Sequence, residues 1–136
     1  EEGADIVTVA GVTNNSVIAR AVEAAREFGK ECFVDLISVD DIVQRAEEVD
    51  ALGADCIGVH TSHDTIEGGN QAPTKDLSRI KVVIKRARTS ISGGIKAEFI
   101  DDIVSFGPDV VIVGSGIMQA EDKRGTAKLI YEAIHG

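Results

Sequence analysis

Positive charge is scarce in this sequence. It has 14 lysine and arginine residues against 23 aspartate and glutamate residues, which gives a formal net charge of −9 at pH 7. Nucleic acids and anionic membrane surfaces attract proteins through an excess of basic residues, which this chain lacks. The charge balance therefore argues against both partners, and any anionic ligand has to be held by local features.

Long apolar runs and a cysteine framework are also missing. No segment approaches the roughly 18 consecutive apolar residues of a membrane helix, and the opening residues EEGAD have neither the basic nor the apolar part of a signal peptide. We therefore predict a cytoplasmic location. Cys32 and Cys56 stand inside apolar, strand-like patterns without C-x-x-C or metal-ligand spacing, which predicts two reduced and packed thiols.

What the sequence does contain is a regular alternation of strand-like and helix-like segments. Its 136 residues, 43% of them apolar, predict a single domain over residues 1–136. The patterns predict strands at 5–11, 31–37, 54–61, 88–94 and 109–116, and helices at 16–29, 41–52, 76–87, 97–107 and 123–135. Asp40 is predicted to cap the second helix. The acidic runs at 47–50 and 101–102 are interpreted as solvated helix faces.

This alternation predicts an α/β fold with parallel strands joined by right-handed crossovers. The sequence has five strand–helix units. A closed (β/α)₈ barrel of the TIM type needs eight units, whereas an open, doubly wound sheet is complete with five. The count alone favours the open sheet.

Polar residues and glycines follow the predicted strands. In both architectures ligands bind beyond the carboxyl ends of parallel strands, which places Asp35 and His60 among the candidate catalytic residues. The motifs SGGIK and VGSGI follow the last two strands. Glycines there allow backbone N–H groups to converge on an anion. We predict a phosphate-binding site that comprises Gly93, Gly94, Gly114, Ser115 and Gly116.

Five segments taken together resemble a known family. They are DIVTVAG, VDLISVDD, ALGADCIGVHTSHD, SISGGIK and GPDVVIVGSGI. Their order and spacing resemble the 3-hexulose-6-phosphate synthases of the orotidine 5′-monophosphate decarboxylase superfamily, over essentially the whole chain. The resemblance implies a (β/α)₈ barrel and a lyase that condenses formaldehyde with D-ribulose 5-phosphate in a Mg²⁺-dependent aldol step. It also implies a phosphosugar substrate and a homodimer.

The same resemblance predicts that the chain is incomplete. Members of this family begin with three strands that carry an Asp, a Glu and a D-x-K-x-x-D motif, which supply the metal ligands and the catalytic Lys and Asp. None of these motifs occurs in this sequence. We therefore expect the chain to be the C-terminal portion of the barrel, about its last five β/α units, without a metal site of its own. Association with an N-terminal part is the alternative to a homodimer, and activity of the isolated chain is doubtful.

Residue by residue, the resemblance gives Asp35 and His60 their roles. Asp35 matches an acidic residue near the metal and the substrate hydroxyls, and His60 matches a histidine that handles protons or polarises oxygen on an enediolate. His63 departs from the family pattern and is interpreted as part of a long loop at 62–75. Two alternatives to the synthase stay open. One is a carboxy-lyase like 3-keto-L-gulonate-6-phosphate decarboxylase, which has an arginine where this chain has Ser115, and the other is a non-catalytic, phosphate-binding α/β module.

Overall fold

Strands and helices alternate from the first strand to the fifth in the computed structural model, which describes residues 3–61 and 72–136. The strands are β1 (Ile6–Ala10), β2 (Glu31–Asp35), β3 (Cys56–His60), β4 (Arg88–Ser92) and β5 (Val110–Ile112). The helices are α1 (Asn15–Glu27), α2 (Ile42–Leu52), α3 (Thr74–Lys81), α4 (Ile100–Ser105, preceded by a 3₁₀ turn at Ala97–Phe99), α5 (Ser115–Met118) and α6 (Lys123–His135). None of the described helices has the length and apolar character that a membrane span requires.

The five strands form one parallel sheet in the order β1-β2-β3-β4-β5. Each strand from β1 to β4 pairs with the strand that follows it in the sequence. A doubly wound sheet reverses its strand order partway, so the doubly wound alternative is wrong. Crossovers that all run in one direction with one hand place the helices on one face of the sheet, which is the winding of a β/α barrel.

The hydrophobic core lies between the sheet and the helices. Because side chains alternate along a strand, Cys32 and Val34 of β2 and Ile57 and Val59 of β3 face the helices, and all four are buried. Both cysteines are free and buried, as the apolar patterns predict. The opposite face of the sheet, which carries Asp35 and His60, is left to line a cavity.

Several element boundaries differ from the predicted ones. Helix α2 is capped by Asp41 and not by Asp40, because the Asp41 carboxylate accepts a hydrogen bond from the Gln44 N–H at 3.1 Å. A capping side chain has to precede the first helical residue directly to reach that N–H. Helix α3 begins at Thr74 and ends at Lys81, so residues 82–87 are outside it.

Asp50, in the second half of α2, organises the segment that leads into β4. Its side chain is 5% exposed, so the interpretation of 47–50 as a solvated helix face is wrong at this position. The carboxylate accepts hydrogen bonds from the backbone N–H groups of Lys85, Arg86 and Ala87 at 3.0, 3.2 and 2.8 Å. Asp50 thus acts as a cap for backbone donors that belong to no helix.

Replacing Asp50 by alanine is expected to lower the free energy of unfolding by about 3 kcal/mol, because three part-buried donors lose their acceptor. Urea titration followed by circular dichroism measures the change. Glu47→Ala is the matched control, since Glu47 is exposed on the same helix, and its effect is expected to stay within about 0.5 kcal/mol. Equal effects of the two substitutions would contradict the capping role.

Acid is expected to destabilise the fold through Asp50 and Asp109. Burial acts to raise the pKa of Asp50, but the N–H groups of Ala87, Lys85 and Arg86 outweigh it and hold the pKa below its ordinary value. The Thr89 N–H, opposed by burial and assisted by the Thr89 hydroxyl, lowers the pKa of Asp109.

A carboxyl whose pKa is lower in the folded state stabilises the fold above its unfolded pKa, and this contribution is lost as the pH falls through the folded pKa. The free energy of unfolding should therefore be flat above about pH 5 and fall below about pH 4. Urea titrations between pH 7 and pH 3 measure it, and Asp50→Ala should show a shallower fall. Unchanged or rising stability below pH 4 would contradict this account.

Candidate active site

A cavity of about 400 Å³ opens at the carboxyl ends of the strands. All five strands, or the residues directly after them, contribute to its lining. The lining residues are Thr8, Phe33, Asp35, His60, Thr61, Ser92, Gly93, Gly94, Ile95, Ile112, Gly114 and Ser115. The two candidate catalytic residues and four of the five predicted phosphate-binding residues therefore share one cavity.

Asp35 and His60 form a direct pair at the centre of this lining. The last residue of β2 and the last residue of β3 face the same side of the sheet, and Asp35 Oδ2 lies 2.9 Å from His60 Nδ1. The other carboxylate oxygen, Oδ1, accepts a hydrogen bond from the Ile37 N–H at 2.9 Å. Both oxygens are thus engaged, which fixes the carboxylate and, through it, the imidazole ring.

This pairing determines which nitrogen of His60 is available for chemistry. A carboxylate is an acceptor only, so Nδ1 carries the hydrogen of the shared bond. The remaining nitrogen, Nε2, has no hydrogen-bond partner within the described part of the chain. In the neutral ring Nε2 accepts a proton, and in the imidazolium it donates one. The pair has the arrangement of a general acid–base residue oriented by a carboxylate.

The first glycine motif turns sharply after β4. Gly93 and Gly94 both have left-handed backbone conformations, with φ of +84° and +66°. A Cβ at Gly93 would lie 2.3 Å from the Thr61 carbonyl oxygen and 3.0 Å from His60 Cδ2. The turn thus packs directly against the end of β3, and only glycine allows the approach.

The second glycine motif packs against the first. A Cβ at Gly116, in the short helix α5, would lie 2.2 Å from the carbonyl oxygen of Ile95. The two loops therefore converge. The backbone N–H groups of Gly94, Ser115 and Gly116 have no acceptor among the described residues. Such unpaired donors on neighbouring loops are suited to an anion with several oxygens.

Sequence reasoning left some lining residues out. Phe33 and Ser92 were not assigned to the site, although Phe33 is two residues before Asp35 and so shares its face of β2. Thr8 also lines the cavity from β1. His63 and most of the loop 62–75 lie outside the described residues. The catalytic and phosphate-binding roles of the predicted residues stay predictions.

No metal site is formed by the described residues alone. They contain no group of three or more His, Cys, Asp or Glu side chains close enough to hold an ion. Asp35 is a single carboxylate, and both its oxygens already accept hydrogen bonds. Mg²⁺ prefers several oxygen ligands in an octahedral arrangement, so the residues present do not fit a complete magnesium site.

The chain is similar to known proteins of one family. The family model described as "Orotidine 5′-phosphate decarboxylase / HUMPS family" matches residues 1–130. A curated relative, 3-hexulose-6-phosphate synthase 1 of Staphylococcus saprophyticus, is 44% identical over 98% of this chain. The chain spans 63% of the length of that relative.

Solved structures agree with the winding of the sheet. The crystal structure of 3-hexulose-6-phosphate synthase from Salmonella typhimurium superposes with a TM-score of 0.91 at 41% identity, over 98% of this chain and 63% of that one. The structure of 3-keto-L-gulonate-6-phosphate decarboxylase from Vibrio cholerae, 24% identical, superposes with a TM-score of 0.73 over 98% of this chain and 62% of that one, and shows a shared fold alone. The TIM-barrel type of fold predicted by the resemblance is thereby confirmed.

Proposed function

The chain belongs to the orotidine 5′-phosphate decarboxylase / HUMPS family, and we propose that its strand ends form the phosphosugar-binding part of a 3-hexulose-6-phosphate synthase. One observation carries the proposal. An Asp–His pair and two converging glycine loops share a single cavity, in a chain that is 44% identical to a synthase. The enzyme is then a lyase of the aldehyde-lyase type.

The proposed reaction joins formaldehyde to D-ribulose 5-phosphate. Loss of a proton from C1 of the ketose gives an enediolate, whose C1 forms a bond to the carbon of formaldehyde. The π electron pair of the formaldehyde C=O becomes an alkoxide, which takes up a proton, and the product is 3-hexulose 6-phosphate. The reaction needs a group that transfers protons and a site that binds the phosphate away from the reacting carbons.

In this proposal His60 moves or shares protons at the oxygens of the enediolate through Nε2, and Asp35 orients its ring. Negative charge that develops on an enediolate oxygen is stabilised by a donor held in place beforehand. The Asp35–His60 hydrogen bond of 2.9 Å supports that role, because it fixes the ring without occupying Nε2.

The phosphate is proposed to bind to Gly93, Gly94, Gly114, Ser115 and Gly116. The chain has a net charge of −9, and the cavity lining contains no lysine or arginine among the described residues. Backbone N–H groups on converging loops hold an anion without a cationic side chain. The contact between Gly116 and the Ile95 carbonyl supports one shared site over two separate ones.

Magnesium dependence and the assembly of the protein are proposals of the same kind. We expect any Mg²⁺ to be held mainly by groups outside the described residues, and removal of divalent ions by EDTA tests the requirement. The described sheet has free edges at β1 and β5, and the apolar residues Ile6 and Phe28 are 53% and 74% exposed. These surfaces support a homodimer or association with a further part of the barrel. A cytoplasmic location stays a prediction.

The proposal is tested on the product of the complete open reading frame. Calorimetry is expected to show that D-ribulose 5-phosphate binds at least tenfold more tightly than D-ribulose, because only the first has the dianionic group. Chromatography should then detect a hexulose 6-phosphate made from D-ribulose 5-phosphate and formaldehyde. Equal affinity for the two sugars would contradict the phosphate site. Release of CO₂ from 3-keto-L-gulonate 6-phosphate, without the aldol reaction, would favour the decarboxylase alternative.

A further inference from the structure

Phe33 lies on the face of the sheet that lines the cavity, close to the Asp35–His60 pair. It is on β2, on the same face as Asp35, and it is 8% exposed. In the register Phe33 is opposite Cys56 of β3, and Asp35 is opposite Gly58. The tip of the Phe33 ring nevertheless reaches Gly58, since a Cβ there would lie 2.5 Å from Phe33 Cζ. The ring therefore leans toward the mouth of the cavity and ends at the level of Asp35.

Gly58 makes this position of the ring available. It lies in the middle of β3 and is buried, where a β-branched residue would ordinarily be favoured. Glycine inside a strand often marks the close approach of another group, and here that group is the Phe33 ring. The Phe33 ring, packed against Gly58, gives the cavity an apolar lining at this position. We call this ring surface the floor of the cavity.

The floor lies at the end of the cavity that is remote from the phosphate loops. Those loops follow β4 and β5, whereas Phe33 is on β2 and Thr8 is on β1. Neighbouring strands are about 5 Å apart, so β2 lies about 10 Å across the sheet from β4. A phosphosugar held by its phosphate at β4 and β5 would pass His60 on β3 and reach Phe33 with its other end.

We infer that Phe33, seated over Gly58, sets the size of the aldehyde that is accepted at the end of the substrate remote from the phosphate. This inference rests on the proposed function and names the residue that limits its second substrate. A hydrogen on the aldehyde carbon fits above the ring, and a methyl or hydroxymethyl group in its place meets the ring. Phe33 is thus a specificity-determining residue and takes no part in proton transfer.

The first test replaces the Phe33 ring by a smaller side chain. In the product of the complete open reading frame, Phe33→Leu should raise kcat/KM for acetaldehyde and glycolaldehyde relative to formaldehyde by about tenfold or more, the discrimination that one extra carbon usually gives. The KM for D-ribulose 5-phosphate should change less than threefold, because the phosphate grip is elsewhere. Phe99→Leu is the control, since Phe99 is partly buried against the core and does not line the cavity, and it should leave the aldehyde ratio unchanged.

The second test raises the floor. Gly58→Ala places a methyl group 2.5 Å from the original position of Phe33 Cζ, which pushes the ring into the cavity. Turnover with formaldehyde should fall about tenfold, and the double variant Gly58→Ala/Phe33→Leu should recover most of it. Recovery by a second substitution separates a steric floor from a general loss of folding.

A binding measurement distinguishes failure of this inference from failure of the proposed function. Calorimetry with D-ribulose 5-phosphate and D-sedoheptulose 7-phosphate measures how long a phosphosugar the cavity accepts, without any aldol chemistry. The protein could bind both sugars without turnover, in which case the synthase proposal fails. If Phe33→Leu then reduces the ratio of the affinities for D-ribulose 5-phosphate and D-sedoheptulose 7-phosphate at least threefold, the floor is still supported. An unchanged aldehyde ratio in an active enzyme, or an unchanged affinity difference in an inactive one, overturns the floor.

Discussion

Replacing His60 by alanine is expected to lower kcat for the condensation of formaldehyde with D-ribulose 5-phosphate by about 10²–10⁴-fold, the usual contribution of a positioned acid–base group. The substitution removes Nε2 and leaves Asp35 without the partner that lies 2.9 Å away. The affinity for D-ribulose 5-phosphate should change less than threefold, since the glycine loops hold the phosphate. Steady-state kinetics and calorimetry on the product of the complete open reading frame measure the two quantities.

Three further variants assign the effect to a particular nitrogen. In His60→Asn the amide occupies the position of Nδ1 and can still donate to Asp35, and in His60→Gln it extends toward the position of Nε2. If Nε2 carries the chemistry, His60→Gln should retain more activity than His60→Asn. His135→Ala is the matched control, because His135 is exposed on α6 and contacts Tyr131. A His60→Ala enzyme with more than a tenth of the wild-type kcat would remove His60 from the mechanism.

Replacing Gly93 by alanine should abolish phosphosugar binding and destabilise the fold by at least about 4 kcal/mol. The left-handed backbone, φ +84°, contributes about 1–2 kcal/mol of that cost for any residue with a Cβ. The larger part arises because the Cβ would lie 2.3 Å from the Thr61 carbonyl oxygen and 2.9 Å from the Thr61 nitrogen. Neither atom is on a flexible side chain, so the turn and the end of β3 have to separate.

Two other glycines serve as controls for this prediction. Gly29 has a similar φ of +64° but open space around its Cβ position, so Gly29→Ala should cost only the backbone term of about 1–2 kcal/mol and leave binding intact. Gly114→Ala meets no atom within 4 Å and should leave the fold stable. Urea titration and calorimetry with D-ribulose 5-phosphate provide the readouts. Tight binding by Gly93→Ala would show that this turn does not form the phosphate site.

The strands and the glycine loops were predictable because their signals are local. Runs rich in valine and isoleucine predict buried parallel strands, and all five strands lie within the predicted ranges. Each strand is shorter than its pattern, and residues 115–116 of the last pattern belong to α5. Glycines after the last two strands predict tight turns that admit an anion. No local signal distinguishes the barrel from the open sheet. The number of strand–helix units favours the open sheet, and only the resemblance to a known family favours the barrel.

The interactions that complete the site could not be read from the pattern. The pairing of Asp35 with His60 depends on the register of β2 against β3, which joins residues 25 positions apart. Asp50 has the sequence context of a solvated acidic helix face, and only the approach of the segment after α3 makes it buried. In the sequence Phe33 resembles any aromatic core residue, because its contact with Gly58 joins residues on different strands. Each of these depends on tertiary contacts that composition and periodicity do not encode.

The sequential strand order has a consequence for how such enzymes diversify. The proposed phosphate site comes entirely from residues after β4 and β5, and the groups proposed to act on the sugar, Asp35 and His60, come from β2 and β3. The two tasks therefore occupy separate, contiguous stretches of the gene. Recombination between relatives at the connection from β3 to α3 would combine the phosphate-binding segment of one parent with the sugar-binding segment of the other. A new reaction could then arise while the phosphate site stays unchanged.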